Sequence, residues 1–419
     1  MKYMMNNRPQ HCWLTLLFLL PMFVFAADGD WVARSFETRG PVSALDNPAE
    51  LGKVNTRDWT IELPGGGATV SNNSFSVRFW NENIARDDYW DAAETQEILA
   101  RIPSDGLKAH ATVNAPLVGV RWHEFAFNAR MFGGGRADLP KSAAELAFVG
   151  TKLNESYSIS DLLGQSVVVS DYALSYGHML PQHRIPELAA GATVHYFQGY
   201  AYANAWNETA NLFTSADVIQ GQGEFTSEAA TNGNGFGLDL GLAATLSPRW
   251  RAGLAVHGIA SKLNWNLDET TIYRFATDQA GLNLDSLDEE NYTDRVFEDE
   301  DVTIKGGRAS SRMPLVVRAS ALFLAAPKWT LAGVVAAQTN DTPLSESGLE
   351  AGAAAQWQST SWSVLQGGIQ LGGTHRTLFS FGGGVRLGTY ELDLSIAAAG
   401  GLFNSAHGMG AAISQRIAF

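Results

Sequence analysis

The sequence predicts an all-β fold: a transmembrane antiparallel up-and-down β-barrel of about 14 strands, with an N-terminal segment plugging its lumen and short helices in its loops. Three observations carry that reading. A short apolar run follows two basic residues at the N-terminus, long segments alternate apolar with polar residues, and no later stretch is apolar for the length a spanning helix needs. In lipid only helices and closed barrels satisfy every backbone N–H and C=O, so a membrane chain without such a helix must close a barrel.

At the N-terminus, residues 1–11 carry Lys2 and Arg8, residues 13–25 are apolar, and Ala26-Ala27 follows. This is the layout of a secretory signal peptide, residues 1–26, cleaved after Ala26, with a retained anchor as the alternative. Cys12, the only cysteine, leaves with it, so the exported chain has no disulfide. Loss of Lys2 and Arg8 takes the formal charge from −14 to −16, which argues against nucleic acid as a partner.

Residues 27–71 are irregular and polar, with turn chemistry at Asp46-Asn47-Pro48 and Gly65-Gly66-Gly67. We expect a plug-like segment here, the alternative being a periplasmic or loop segment, and the barrel proper over residues 72–419.

Within 72–419 the period-two pattern recurs. Phe236, Leu238, Leu240 and Leu242 alternate with Gly237, Asp239, Gly241 and Ala243; Tyr390, Leu392, Leu394 and Ile396 alternate with Glu391, Asp393 and Ser395. Similar segments are 379–388 and 408–419, where Gln415 is the one polar residue on the apolar face. Further candidates are 75–79, 107–115, 118–131, 167–176, 188–202, 250–257, 263–275, 302–307, 315–323, 329–337, 351–357 and 363–371. Most are about as long as a tilted strand that crosses a bilayer. A soluble secreted β-rich binding protein also alternates, but its strands average about 5–6 residues, and the polar face here is small rather than Lys- and Glu-rich. Trp250, Trp329, Trp357, Trp362, Tyr390, Tyr196, Tyr200 and Tyr202 stand near strand ends, as interfacial girdles require. The last segment ends on an aromatic, Phe419, a mark of barrels handed to the outer-membrane assembly machinery.

Other regions break the pattern. Residues 87–102 and 142–150 read as short helices, the second with a Ser142-x-x-Glu145 capping box and a Gly150 C-cap. Residues 268–301 hold twelve Asp or Glu against two Arg. That stretch reads as a solvated outer loop, with a divalent-cation site as the sharper alternative; the spacing matches no EF-hand, and no metal ligand is assigned.

Charges on the inward face must find partners. With Gly388-Thr389 as a tight turn, Arg386 lies opposite Glu391. Asp239, Arg251, Arg318, Asp393 and Arg416 are further lumen candidates. No zinc helix, nucleophile elbow, phosphate loop or dinucleotide fingerprint is present, so neither an enzyme nor a cofactor is expected.

Residues 40–51, which contain Asn47-Pro48-Ala49-Glu50-Leu51, resemble the start of the long-chain fatty-acid transporter (FadL-like) superfamily of outer-membrane proteins. Residues 97–103 and the strand at 235–241 look closest to its conjugal-transfer TraF-like and uncharacterised branches. The resemblance implies a barrel of about 14 strands with Asn47, Pro48 and Ala49 in the plug, embedded in outer-membrane lipid and taking a hydrophobic small-molecule ligand. It also implies passive, porin-like transport in a Gram-negative envelope. A structural or assembly barrel of a surface or secretion system is the alternative.

Overall fold

The computed structural model describes residues 36, 40–53, 59–85, 90–181, 187–277, 282–283 and 297–419. The expected signal peptide lies outside them. Fourteen antiparallel strands form one closed sheet: β1 (Trp59–Asn72), β2 (Leu107–Trp122), β3 (Phe125–Leu139), β4 (Glu155–Ile159 and Leu163–Met179), β5 (Leu188–Thr214), β6 (Val218–Ala230 and Asn232–Ser247), β7 (Trp250–Asn266, Glu269–Thr277 and Leu282–Asn283), β8 (Phe297–Lys305, Arg308–Arg312 and Val316–Ala326), β9 (Trp329–Gln338), β10 (Gly348–Trp357), β11 (Ser363–Gly372), β12 (Thr377–Leu387), β13 (Tyr390–Ala399) and β14 (Gly408–Ala418). The broken strands count once because their pieces run along the same neighbour. Both pieces of β6, for example, pair with successive halves of β5. β14 pairs with β1 and closes the ring.

The alternation of the sequence becomes two surfaces. Leu174, Val194, Leu240, Phe381 and Ile396 stand exposed on the outside, while their chain neighbours Ser175, Thr193, Asp239, Ser380 and Ser395 are buried inside. Lipid takes the apolar face at no desolvation cost, and small polar groups fill the lumen. Among the described residues no helix is long and apolar enough to cross a membrane; the strands do the crossing.

Short turns gather at one end: His123-Glu124, Pro248-Arg249, Pro327-Lys328 and Gly388-Thr389. His123 and Gly388 supply the positive φ, 51° and 65°, that such turns need. Aromatic rings line this end from outside, with Trp59 on Trp122 at 5.8 Å, Phe125 on Tyr176 at 4.8 Å, Trp250 on Phe323 at 4.5 Å and Trp329 on Trp357 at 6.0 Å. Long loops occupy the other end. The loop after β1 carries the helix Ala92–Arg101, whose capping box joins Asp91 and Glu94. Its Ile98, Leu99 and Ile102 pack with Phe75, Phe79 and Ala144.

Several expectations are corrected. The barrel begins at Trp59, not at residue 72: residues 59–71 are strand, and Gly65-Gly66-Gly67 is a bulge against β14 rather than a turn. The bulge leaves the Pro64 carbonyl to accept from Gln415 Nε2 at 3.0 Å. Tyr390 donates to the same side chain at 2.8 Å, so the outward glutamine is satisfied. Residues 75–79 form a helical turn, and 118–131 are two strands with a turn at His123-Glu124. The second helix, Lys141–Val149, starts at Pro140; Ser142 donates instead to the Ser158 carbonyl, so the capping box is absent, although Gly150 ends the helix at φ 79°. Tyr202 is no girdle residue. A register shift opposite Val168/Val169 adds one residue near Tyr200, which turns Tyr202 inward onto Trp265. Part of the acidic stretch is strand as well: Glu269–Thr277 pairs with Phe297–Lys305, beyond the height of the shorter strands.

Candidate functional site: a docked segment, a charged belt and two cavities

Residues 40–53 lie on the inner wall towards the short-turn end. Ser43–Asp46 forms a helical turn and Pro48–Gly52 a 3₁₀ turn, joined at Asn47, whose side chain accepts from Ala49 N at 3.0 Å. The wall receives the segment through its inward glycines. A Cβ at Gly177 or Gly191 would strike the Pro48 backbone, and one at Gly241 would strike the Asn47 carboxamide. Glycine is needed there because backbone lies on backbone. Asn47 Nδ2 donates to the Leu242 carbonyl at 2.9 Å, and Asn128 Nδ2 to that of Pro41 at 2.9 Å. Arg121, buried on β2, donates to the carbonyls of Leu51 and Lys53 at 3.2 and 3.4 Å. Asp46 takes Arg318 of β8 at 3.4 Å.

Above the segment a belt of ionisable side chains crosses five strands. Arg130 of β3 meets Asp171 of β4 at 2.9 Å. Asp171 meets His195 Nδ1 of β5 at 2.9 Å, and His195 Nε2 meets Asp239 of β6 at 3.1 Å. Asp239 also takes His257 Nδ1 of β7 at 2.9 Å and accepts from Gly258 N at 2.8 Å. Both nitrogens of His195 face carboxylates, which only accept, so the ring donates from both and is an imidazolium. Each buried charge is thereby paired and hydrogen-bonded, the condition under which charge tolerates burial.

The belt adjoins a seam in the wall. β8 pairs with residues 250–257 and 262–266 of β7, but residues 258–261 face 313–315 without ladder partners. Gly258 and Ala260 there have φ of 73° and 53°. The bond from Gly258 N to Asp239 replaces one lost ladder bond.

Two cavities flank the docked segment. The one towards the long loops, about 400 Å³, is lined by Phe132, Phe197, Met313 and Leu344 on one side and by Thr112, Asn114, Asp239, Arg318, Gln338 and Glu350 on the other. The seam residues Gly258, Ser261 and Pro314 also line it. The apolar side continues into a cluster around Trp265, which is 1% exposed, with Val167, Val169 and Leu263. The other cavity, about 480 Å³, is lined by Arg249, Arg251, Arg386, Glu391 and Arg416.

Over the first cavity folds the β9–β10 loop, residues 339–347. Leu344 joins the Trp265 cluster, Asp341 meets Arg136 at 2.9 Å, and Glu346 meets His110 at 3.4 Å. Burial works to raise the Asp341 carboxyl, but hydrogen bonds from the Ser347 side chain and backbone and from Arg136 outweigh it and bring it down to about 2.

The lumen residues expected from the sequence fall into two places. Arg386 stands opposite Glu391 at 3.2 Å, as the Gly388-Thr389 turn requires; Arg416 shares Glu391, and Asp393 takes Arg386 at 2.9 Å. With Arg251 these gather near the short-turn end. Asp239 belongs to the belt, and Arg318 joins the docked segment. Sequence reasoning missed Arg130, Asp171, His195 and His257. Their signal was position alone: each lies on the inward phase of its strand, Asp171 before the outward Tyr172 and His195 between the outward Val194 and Tyr196.

Residues 52–234, less than half of the chain, match a family of unknown function (DUF5723). No curated protein matches the sequence. Among solved structures the fold is similar to a deltaS2S3 mutant of TodX, a monoaromatic hydrocarbon channel, at TM-score 0.50 and 14% identity over 91% of this chain and 95% of that one. TodX is a toluene transporter of P. putida. Similar too are the CymD monoaromatic hydrocarbon channel, at TM-score 0.48 and 12% identity over 91% and 94% of the two chains, and a Pseudomonas aeruginosa FadL homologue, at 0.47 and 10% over 93% and 96%. At these identities the likeness speaks for the fold, which is that of the FadL-like 14-strand barrels.

Proposed function

We propose that the protein is an outer-membrane channel that passes hydrophobic or small solutes passively, without catalysis. The observation that carries this reading is the lumen cavity beside the unpaired seam of β7 and β8. Wall without ladder bonds opens at lower cost than paired wall, and it lies where a solute in the cavity meets lipid. Residues 40–53 act as the plug beneath that cavity. The expected signal peptide, the lipid-facing belt and the likeness to a hydrocarbon channel support the same reading.

The test is reconstitution of the purified, heat-modifiable protein into liposomes, with uptake of toluene and of a labelled fatty acid measured against empty liposomes. Faster uptake of either supports the channel; rates equal to the empty vesicles for both sink it. The second reading, an assembly barrel acting through its outer surface, draws on one feature: β5 to β8 rise beyond the other strands and carry exposed Asp299, Glu300 and Asp301. A sealed barrel that passes nothing would favour it.

A further inference from the structure

The lining of the 400 Å³ cavity says more about a ligand than the fold does. This step rests on the channel reading and narrows its solute. Cavities of about 300–1000 Å³ suit ligands up to drug size. One side is apolar, with Phe132, Phe197, Met313 and Leu344. Facing it, β2 turns two side chains inward either side of the outward Val113: Thr112 and Asn114. Thr112 is 7% exposed, and its hydroxyl has no hydrogen-bond partner; the Asn114 side-chain carbonyl is buried and likewise has none. Buried polar groups in native proteins are paired, and an orphan in a cavity wall is a place where a ligand atom pays back a standing cost.

The sign of the missing partner follows. The Asn114 carbonyl only accepts, so it requires a donor. The charges of the lining are already matched: Arg130 holds Asp171, Arg318 holds Asp46, and Asp239 holds two histidines and a backbone N–H. An anionic head would therefore have to break an existing pair, and it would face Asp46, Asp239 and Glu350. A pure hydrocarbon would leave Thr112 and Asn114 unsatisfied. The geometry points to an amphipathic ligand with an apolar body against Phe132, Phe197, Met313 and Leu344 and a neutral hydroxyl head donating to Asn114 Oδ1. Thr112 completes the head's hydrogen bonds, since a hydroxyl both donates and accepts.

Three probes with one body and different heads test this: 4-propylphenol, propylbenzene and 4-propylbenzoate. Each is equilibrated by dialysis with the folded, detergent-solubilised full chain and with matched empty micelles. The phenol is expected to bind at least about threefold more tightly than either other probe, the lower end of what one net hydrogen bond gives. Asn114→Ala should weaken the phenol by about three- to tenfold and leave propylbenzene unchanged. Thr112→Val, which keeps the side-chain shape, should act in the same direction and serves if the first variant fails to fold. Equal binding of phenol and hydrocarbon, tighter binding of the benzoate, or equal weakening of all probes in both variants overturns the inference. Because dialysis needs no transport, these results stand apart from the liposome assay. Uptake without head selectivity would leave the channel and remove this ligand class; selective binding without uptake would do the reverse.

Discussion

The two halves of the barrel wall are built to different specifications. From β9 to β14 the strands run 10 or 11 residues, about what a tilted strand needs to cross lipid, and each is continuous. From β4 to β8 they are long or assembled from pieces; β5 alone has 27 residues, about 50 Å more along the strand than β14. The docked segment, the charged belt and the Trp265 cluster all rest on the longer half and its neighbours β2 and β3. Where the wall has only to span lipid, alternation specifies it. Where it also holds internal parts, its inward positions are set by what touches them, and its strands bulge, break and extend to meet those parts.

The sharpest way to break this contrast is to unpair the belt. Asp239→Ala leaves His195 with one carboxylate and His257 and Gly258 N with none. Removing one partner from a buried charge network costs about 3–5 kcal/mol. The folded band of the unheated protein should convert at a clearly lower temperature than in the parent. Asp393→Asn in the shorter half should move that temperature little, because Arg386 keeps Glu391. Equal shifts for the two variants would show that the halves do not differ in this way.

Next in size is the seat of the docked segment. A valine at Gly241 meets Asn47, whereas one at Gly333 of β9 meets open space. Gly241→Val should displace residues 40–53 and raise single-channel conductance in planar bilayers, with Gly333→Val close to the parent. Unchanged conductance in Gly241→Val would mean that the segment does not obstruct the lumen.

The same contrast explains what could be read in advance. The shorter half was legible almost residue by residue, since alternation fixes the face and the Gly388-Thr389 turn fixes the register that sets Arg386 opposite Glu391. In the longer half a single bulge near Tyr200 reverses the phase of everything after it, so Tyr202 reads as outward and lies inward. The glycines at 65–67 read as a turn because their composition is that of one, yet pairing on both sides makes them strand. His195 and Asp171 are 24 residues apart in sequence, and only the register of β4 on β5 joins them. Asn47 and Pro48 were legible as a motif, but their seat on Gly191 and Gly241 was not, because the contact lies between distant segments.

A smaller effect is expected at the short-turn end. Arg386 and Glu391 are partly exposed, and each has a second partner, Asp393 and Arg416 respectively. A double-mutant cycle of Arg386→Ala and Glu391→Ala should give a coupling of about 1 kcal/mol or less. A coupling as large as the effect of Asp239→Ala would erase the distinction between the two charge groups.

The smallest effect tests the loop that crosses from the short half to the long one. Asp341 on the β9–β10 loop accepts from Ser347 N at 2.6 Å and meets Arg136 of β3, which also holds Asp138 and lies 3.8 Å from Glu346. The docked carboxyl sits at about 2, below its ordinary value of 3.8. A depressed acid contributes docking that is complete above the ordinary value and is lost as pH falls through the depressed one. The Ser347 amide should therefore stay protected from hydrogen exchange at pH 5 and 4, and lose protection as pH is lowered towards about 2. Asp341→Asn should exchange faster already at pH 5, with little further change on acidification. Because the carboxyl is half exposed, added salt should narrow the gap between parent and variant. Protection that does not change across this range would mean that Leu344 in the Trp265 cluster holds the loop unaided, and that the two halves are bridged by packing rather than by charge.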